Sequence, residues 1–187
     1  MKSMRIVAGE RKSIPLKSAA GKTTRPTTDK VKESLFNIIG PYFSGGIALD
    51  LFAGSGGLGL ETLSRGAERA IFIEKDAKSL EALRSNIEKC RYETCTEVYR
   101  NDATRAVKSL LGRNEQYTFV FVDPPYAQVQ YYAIVAELVE ANKVTDNGVI
   151  VCEHDKAYEL PEAYGEFICQ RREKYGDSII SIYEKGE

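Results

Sequence analysis

Residues 49–61 read Leu49-Asp50-Leu51-Phe52-Ala53-Gly54-Ser55-Gly56-Gly57-Leu58-Gly59-Leu60-Glu61: an apolar strand closing on an acid, then a glycine-rich turn that opens a helix. Gly54 and Gly56 permit backbone angles and a close ligand approach that a Cβ would forbid. Glu74 lies twenty residues beyond Gly54, at the end of the next apolar run. There its carboxylate can accept hydrogen bonds from two ribose hydroxyls at the switch point of an open sheet.

Outward from this stretch, β-rich runs alternate with amphipathic ones, the pattern of a parallel sheet covered by helices. Strands are predicted over 47–52, 70–75, 96–100, 118–123 and 148–153. Helices are predicted over 57–65, 77–90, 103–111 and 130–142. An earlier helix over 28–39 has Thr28 or Thr27 as its N-cap, Asp29 in its first turn and Gly40-Pro41 as its stop. Two final β-rich runs, 167–175 and 178–184, meet at Gly176-Asp177 as an antiparallel hairpin. The sum is an α/β fold with a seven-stranded, mostly parallel sheet. Short β-prone runs at 5–8 and 14–17 suggest an N-terminal hairpin over the sheet edge. One domain is expected across 1–187, with a basic extension over 1–40 and a catalytic core over 41–187.

Composition narrows the class. The 187 residues are 43% hydrophobic and 28% charged, ordinary for a soluble globular protein. No apolar run reaches membrane-spanning length, and residues 1–10 do not read as a secretory signal. The four cysteines form no C-x-x-C pair and only His154 could join them. A zinc site and a disulfide framework are therefore not expected, and reduced cytoplasmic thiols are. Residues 1–32 carry nine basic side chains against Glu10 and Asp29, although the whole chain has a net charge of −1. A basic arm on an acidic body suggests a polyanionic partner met by one face.

Gly54, Gly56 and Gly59 also satisfy G-x-G-x-x-G, so a dinucleotide has to be weighed. Asp50 argues against it. A carboxylate at the strand end repels a pyrophosphate and attracts a sulfonium or an ammonium. After the predicted fourth strand comes Asp123-Pro124-Pro125-Tyr126, placed by the fold beside the glycine loop. The Asp123 carboxylate and the Pro124 carbonyl can both accept from a planar amino group, holding its nitrogen in line with a methyl carbon. Two prolines stiffen the turn, and Tyr126 offers a face on which a base can stack. No strong general base is needed, since the nitrogen becomes acidic only as it gains the methyl group.

With these residues the chain resembles the RsmD-like family, bacterial methyltransferases that place a methyl on guanine N2 of small-subunit (16S) rRNA. The resemblance runs from M-R-I-V-A-G at Met4 through T-R-P-T-T-D-K-V-K-E-S-L-F-N at Thr24, I-E-K-D at Ile73 and N-D-A at Asn101 to D-P-P-Y and K-Y-G-D-S at Lys174. It implies a Rossmann-like methyltransferase fold using S-adenosylmethionine. Asp50, Phe52, Ala53, Gly54, Ser55 and Gly56 would line the methionine end, Glu74 and Lys75 the ribose, and Asp102 and Ala103 the adenine, with the Asp102 carboxylate accepting from its amino group. Asp123, Pro124, Pro125 and Tyr126 would form the catalytic turn. Arg5, Arg11, Lys12, Lys22, Arg25, Pro26, Thr27 and Lys30 would face RNA. The implied partner is 16S rRNA or the 30S particle, met by a monomer without metal or membrane. Lys30 and Lys32 stand where arginines are common in the family, which would loosen phosphate contacts.

Lesser residues read more blandly. Tyr131 and Tyr132 could form a base platform, but aromatics that begin a helix are more often core. His154 could line the site, although a satisfied histidine is the commoner role. Asp177 and Ser178 need only form a turn. Four alternatives stay open: adenine-N6 methylation, which uses the same turn; glutamine methylation of a protein, where Asn more often replaces Asp123; a dinucleotide oxidoreductase, lacking here a Tyr-Lys or His-Asp pair; and a non-catalytic RNA-binding module.

Overall fold

A computed structural model describes residues 4–19, 28–125 and 128–187. Its strands are β1 (Met4–Arg5), β2 (Pro15–Leu16), β3 (Ile47–Asp50), β4 (Arg69–Glu74), β5 (Thr96–Arg100), β6 (Tyr117–Val122), β7 (Val144–Asp155), β8 (Ala163–Tyr164), β9 (Phe167–Tyr175) and β10 (Ser178–Lys185). The helices are α1 (Asp29–Ile39), α2 (Gly57–Ser64), α3 (Ala77–Cys90), α4 (Ala103–Leu111) and α5 (Ala133–Glu140). The main sheet runs β5-β4-β3-β6-β7-β10-β9-β8. β3 to β7 are parallel, and β10, β9 and β8 add antiparallel at one edge. This is the Rossmann-like methyltransferase fold. β8, only two residues long, makes eight strands of the expected seven.

Successive strand residues point to opposite faces, so each buried strand feeds two layers. Ala48, Phe72, Phe121 and Val151 pack with Leu35 and Phe36 of α1, Leu60 of α2 and Leu83 of α3. Leu49, Ile71, Val120 and Ile150 pack on the other side with Val107 of α4 and Val135 and Leu138 of α5. Strand order reverses direction at β3, which lies between β4 and β6. Their carboxyl ends therefore flank the crevice where open α/β sheets bind ligands.

Several boundaries shift for physical reasons. Thr28 is the N-cap of α1, its hydroxyl accepting from Val31 N–H at 3.3 Å. β7 begins at Val144 rather than 148. Tyr117 pairs with Val144 and Phe119 with Val149, so Asp146-Asn147-Gly148 forms a bulge inside the strand. A 3-10 turn (Val129–Tyr132) replaces the first turn of the helix expected over 130–142. The N-terminal hairpin pairs Met4 with Leu16 and Arg5 with Pro15. It sits on α2 and α3, not over the sheet edge. Glu61 accepts from Val7 N–H at 2.8 Å and Ala8 N–H at 3.1 Å, and Arg11 Nε donates to Cys90 O at 2.6 Å.

Beneath the hairpin lies a buried ion cluster. Lys32 Nζ is 3.5 Å from Glu61 and donates to Arg5 O at 2.6 Å, while Arg65 Nε meets Glu61 at 2.8 Å. Burial holds the Lys32 ammonium below its usual range, against the pull of Glu61 and Asp29. Lys32 is fully buried, so its place in the basic arm is corrected: it anchors the fold and cannot reach phosphate. All four cysteines are free thiols. Among the described residues no helix is long and apolar enough to cross a membrane.

Candidate active site

The crevice at β3 and β6 gathers the acids that the sequence singled out. Asp50, the last residue of β3, is 3% exposed. Withdrawal from water and the nearby Glu74 carboxylate push its pKa up to about 7, against hydrogen bonds from Gly59 and Phe52 N–H. Glu74, at the end of β4, accepts from Gly54 N–H at 2.9 Å with one oxygen and from Asp76 N–H at 2.9 Å with the other. It thus clips the glycine turn to the neighbouring strand while each oxygen keeps a lone pair for a ligand hydroxyl.

The three glycines of the motif do different work. Gly54 has φ +56°, and a Cβ there would meet nothing within 4 Å, so the chain turns past open space. At Gly56 a Cβ would lie 2.4 Å from Leu83 Cδ1, and at Gly59 2.3 Å from the Phe72 ring. Those two are required by packing, whereas Gly54 faces open space. Ala53 is buried, and Ser55 gives its carbonyl to Asn86 Nδ2 at 2.8 Å. An open cradle edged by Asp50 and Glu74 suits a cationic, hydroxyl-bearing nucleoside and repels a pyrophosphate.

The far wall differs in detail from expectation. Asp102 caps α4, accepting from Thr104 N–H at 3.0 Å, and its other oxygen receives the Tyr131 hydroxyl. Both oxygens are therefore engaged, and the Tyr131 bond holds the carboxyl below its usual range. Tyr131 also packs edge-on against Phe52 at 5.0 Å between ring centroids. It ties the loops after β3 and β5 together. Tyr132 donates to the Glu153 carbonyl and stacks on Tyr158. Both tyrosines are buried, so they are struts and not a base platform. Ala103 is buried beside Asp102, and Lys75 is exposed.

Asp123 follows β6 directly, beside Asp50 at the end of the adjoining strand. Its carboxyl is held well above the usual range, first by withdrawal from water, then by Glu153 and Asp50. Pro124 and Pro125 are half-buried, and the Pro125 carbonyl accepts from Gln128 N–H at 3.1 Å. Tyr126 lies outside the described residues. His154, on the opposite face of β7, is satisfied by Ser181 Oγ at 2.8 Å and the Tyr158 carbonyl at 2.9 Å, away from the crevice.

On the arm, Arg5 pairs with Asp29 at 3.3 Å yet keeps 59% of its side chain exposed, and Lys12 and Lys30 are exposed. Arg11 is partly committed, bonded to Cys90 O and lying 4.9 Å over the Tyr92 ring. Lys22, Arg25, Pro26 and Thr27 lie outside the described residues.

The family described as conserved hypothetical protein 95 matches residues 4–184. YlbH, a candidate rRNA methyltransferase of Bacillus subtilis (strain 168), is 47% identical over 97% of this chain and 99% of its own length. Ribosomal RNA small subunit methyltransferase D of Escherichia coli (strain K12) is 30% identical over 97% of this chain and 90% of its own. This chain belongs to the RsmD-like methyltransferase family. Among solved structures, the candidate methyltransferase yhhF from Escherichia coli superposes with a TM-score of 0.83 at 30% identity, covering 98% of each chain.

Two residues of this RsmD-like chain escaped the sequence reading. Asn86 joins the glycine turn to the arm, and Glu153 stands beside Asp123. The only sequence signal for Glu153 is its position, an acid closing the strand next to the one that Asp123 follows. Asn86 carries none, because its partners lie 31 and 69 residues away.

Proposed function

We infer that this chain transfers a methyl group from S-adenosylmethionine to the exocyclic N2 amino group of a guanine in small-subunit (16S) rRNA. The observation that carries the reading is the Asp123-Pro124-Pro125 turn standing beside Asp50 across the switch between β3 and β6. Relatives that match over 97% of the chain are named as small-subunit rRNA methyltransferases.

The bound cofactor supplies an electrophilic methyl on a sulfonium sulfur. Asp50 balances the positive charge at the methionine end, with Phe52, Ala53, Gly54, Ser55 and Gly56 forming that wall of the cradle. Glu74, with Lys75 next to it, takes the ribose, and Asp102 and Ala103 flank the adenine. Asp123 and the Pro124 carbonyl accept from the guanine amino group and fix its nitrogen, Pro125 stiffens the turn, and Tyr126 stacks on the base. Arg5, Lys12 and Lys30, with Lys22, Arg25, Pro26 and Thr27, contact the RNA backbone, and Arg11 contributes from its seat on α3. The partner is 16S rRNA, free or within the 30S particle, met by a monomer whose core over 41–187 does the chemistry and whose extension over 1–40 grips RNA. The guanine is presented unpaired or flipped, since a duplex hides its amino group.

Tritiated methyl transfer to undermodified 30S particles, followed by nuclease mapping, tests this reading. Label at one guanine of 16S rRNA, abolished by Asp123→Ala, supports it. Label confined to protein or DNA rejects it.

A further inference from the structure

The carboxyl ends of β4 and β5 carry four cations around the outer rim of the cradle. Lys75 follows Glu74, and Arg100 closes β5, where it pairs with Glu74 across the ladder and its Nε donates to Lys75 O at 3.4 Å. Lys78 and Arg105 stand in the first turns of α3 and α4, the helices that leave those two strands. All four side chains are exposed, and none forms an ion pair with a described residue. The acids between them are committed to backbone groups. Glu74 holds Gly54 and Asp76 N–H, Asp76 caps α3 through Ser79 N–H at 2.9 Å, and Asp102 caps α4. Glu81, the next exposed acid along α3, reaches none of the four within ion-pair distance.

The amino end of the same sheet edge is built differently. There Arg69 meets Glu97 at 2.7 Å and Glu115 at 3.0 Å, and Arg113 meets the same two acids at 3.0 Å each. Those cations are neutralised within the fold, whereas the four at the carboxyl end repel one another until a polyanion arrives. S-adenosylmethionine is not that polyanion. It carries no phosphate, and its sulfonium adds a further positive charge. We propose that Lys75, Lys78, Arg100 and Arg105 form a second RNA contact, taking backbone phosphates that flank the methylated guanine on the side of the site away from α1. This rests on the guanine reading given above.

Sheet order sets the reach of this contact. β5 lies three places from β6 in the order β5-β4-β3-β6, about 14 Å at the usual spacing between strands. Phosphates follow one another at about 3.4 Å along one strand of a helix, so the rim meets the backbone roughly four nucleotides from the base at Asp123. On the other side of that turn, Lys30 of α1 shares a groove with Arg171 and Glu173 of β9, which lies beyond β7 and β10. The two sets of cations straddle the catalytic turn. RNA therefore crosses the carboxyl edge of the sheet and presents its guanine between them. Contacts of this kind fix register and orientation without reading sequence.

The test compares wild type with Lys78→Gln, Arg105→Gln and the double variant, in binding to undermodified 30S particles and to protein-free 16S rRNA and in methylation kinetics. Both side chains are exposed and unpaired, so the fold tolerates their replacement. At 0.1 M salt each substitution weakens RNA binding and raises KM for RNA by about five- to ten-fold, and the slope of log affinity against log salt falls by about one. Affinity for S-adenosylhomocysteine and kcat at saturating RNA stay within about two-fold of wild type. Lys185→Gln makes the same charge change at the amino end of the parallel strands. It leaves RNA affinity within about two-fold, because exposed charges more than about 10 Å away are screened. Rim variants with unmoved RNA affinity and salt slope overturn the proposal. So does an equal loss in Lys185→Gln, which marks a general field, or a parallel loss of S-adenosylhomocysteine affinity, which assigns the rim to the cofactor. Loss toward 30S particles with none toward protein-free 16S rRNA assigns the rim to a protein and overturns it too. Wild type that binds RNA through the rim but transfers no methyl sinks the guanine reading alone. Wild type that methylates guanine, with rim variants unaffected, sinks only the rim.

Discussion

The Asn86 side-chain amide donates to the Ser55 carbonyl and to the Lys17 carbonyl, each at 2.8 Å, while its oxygen accepts from Lys17 N–H at 2.8 Å. One fully buried residue on α3 thus holds both the glycine turn and the strand end of the basic arm. The grip on the cofactor and the seating of the arm share a support.

Asn86→Leu keeps the branching at Cγ and removes all three bonds, leaving buried backbone groups unsatisfied at about 1–3 kcal/mol each. We expect roughly ten-fold weaker binding of S-adenosylhomocysteine by calorimetry. Amide exchange around residues 15–19 rises in the same variant. Unchanged affinity with unchanged exchange would show that the turn stands without Asn86.

Asp50 makes stability depend on pH with a definite sign. Its folded pKa is raised to about 7 from 3.8, so the folded state keeps a proton that the unfolded state has lost. That contribution is fully present below about pH 4 and is lost as pH rises through about 7. His154 works in the opposite direction, because burial lowers its pKa and the unfolded state takes up a proton as pH falls through 6.5. Comparison with Asp50→Asn isolates the carboxyl. Without ligand, the variant matches wild type at pH 4.5 and exceeds it by roughly 2 kcal/mol at pH 8, or about 4–8 °C in Tm. The same variant loses cofactor affinity. A stability difference that does not change with pH contradicts this account.

Lys30 and Lys32 sit two residues apart on α1 and have opposite duties. Lys32→Ala removes one of the two cations on the buried Glu61 carboxylate, Arg65 remaining, and leaves the Arg5 carbonyl without its donor; it costs about 1–3 kcal/mol, read as a fall in denaturation midpoint. Lys30 is exposed, and Lys30→Ala leaves the midpoint within about 0.5 kcal/mol. It weakens RNA binding and lowers the salt slope by about one. Equal effects of the two substitutions on RNA affinity would refute this division.

These contrasts show what a linear sequence discloses. The parallel strands were legible because apolar runs buried on both faces need no partner to be recognised, and Thr28, Gly54 and Glu74 declare themselves through local geometry. Lys32 was misread because a charge in a basic run looks solvated until the partner helix brings Glu61 against it. The bulge at Asp146-Asn147-Gly148 carries the same residues as a turn, and only pairing of Val144 with Tyr117 distinguishes them. Tyr131 and Asn86 reach partners 29 and 31 residues away from a 3-10 turn and a helix, and Glu153 is set beside Asp123 by strand register, so only the tertiary fold brings them to the site.

The central claim is tested most directly by mass spectrometry of the nucleosides released from 16S rRNA after undermodified 30S particles are incubated with the enzyme and S-adenosylmethionine. The account predicts a gain of N2-methylguanosine, absent with Asp123→Ala. A gain of N6-methyladenosine instead, or no new methylated nucleoside while the protein binds S-adenosylhomocysteine, would contradict it.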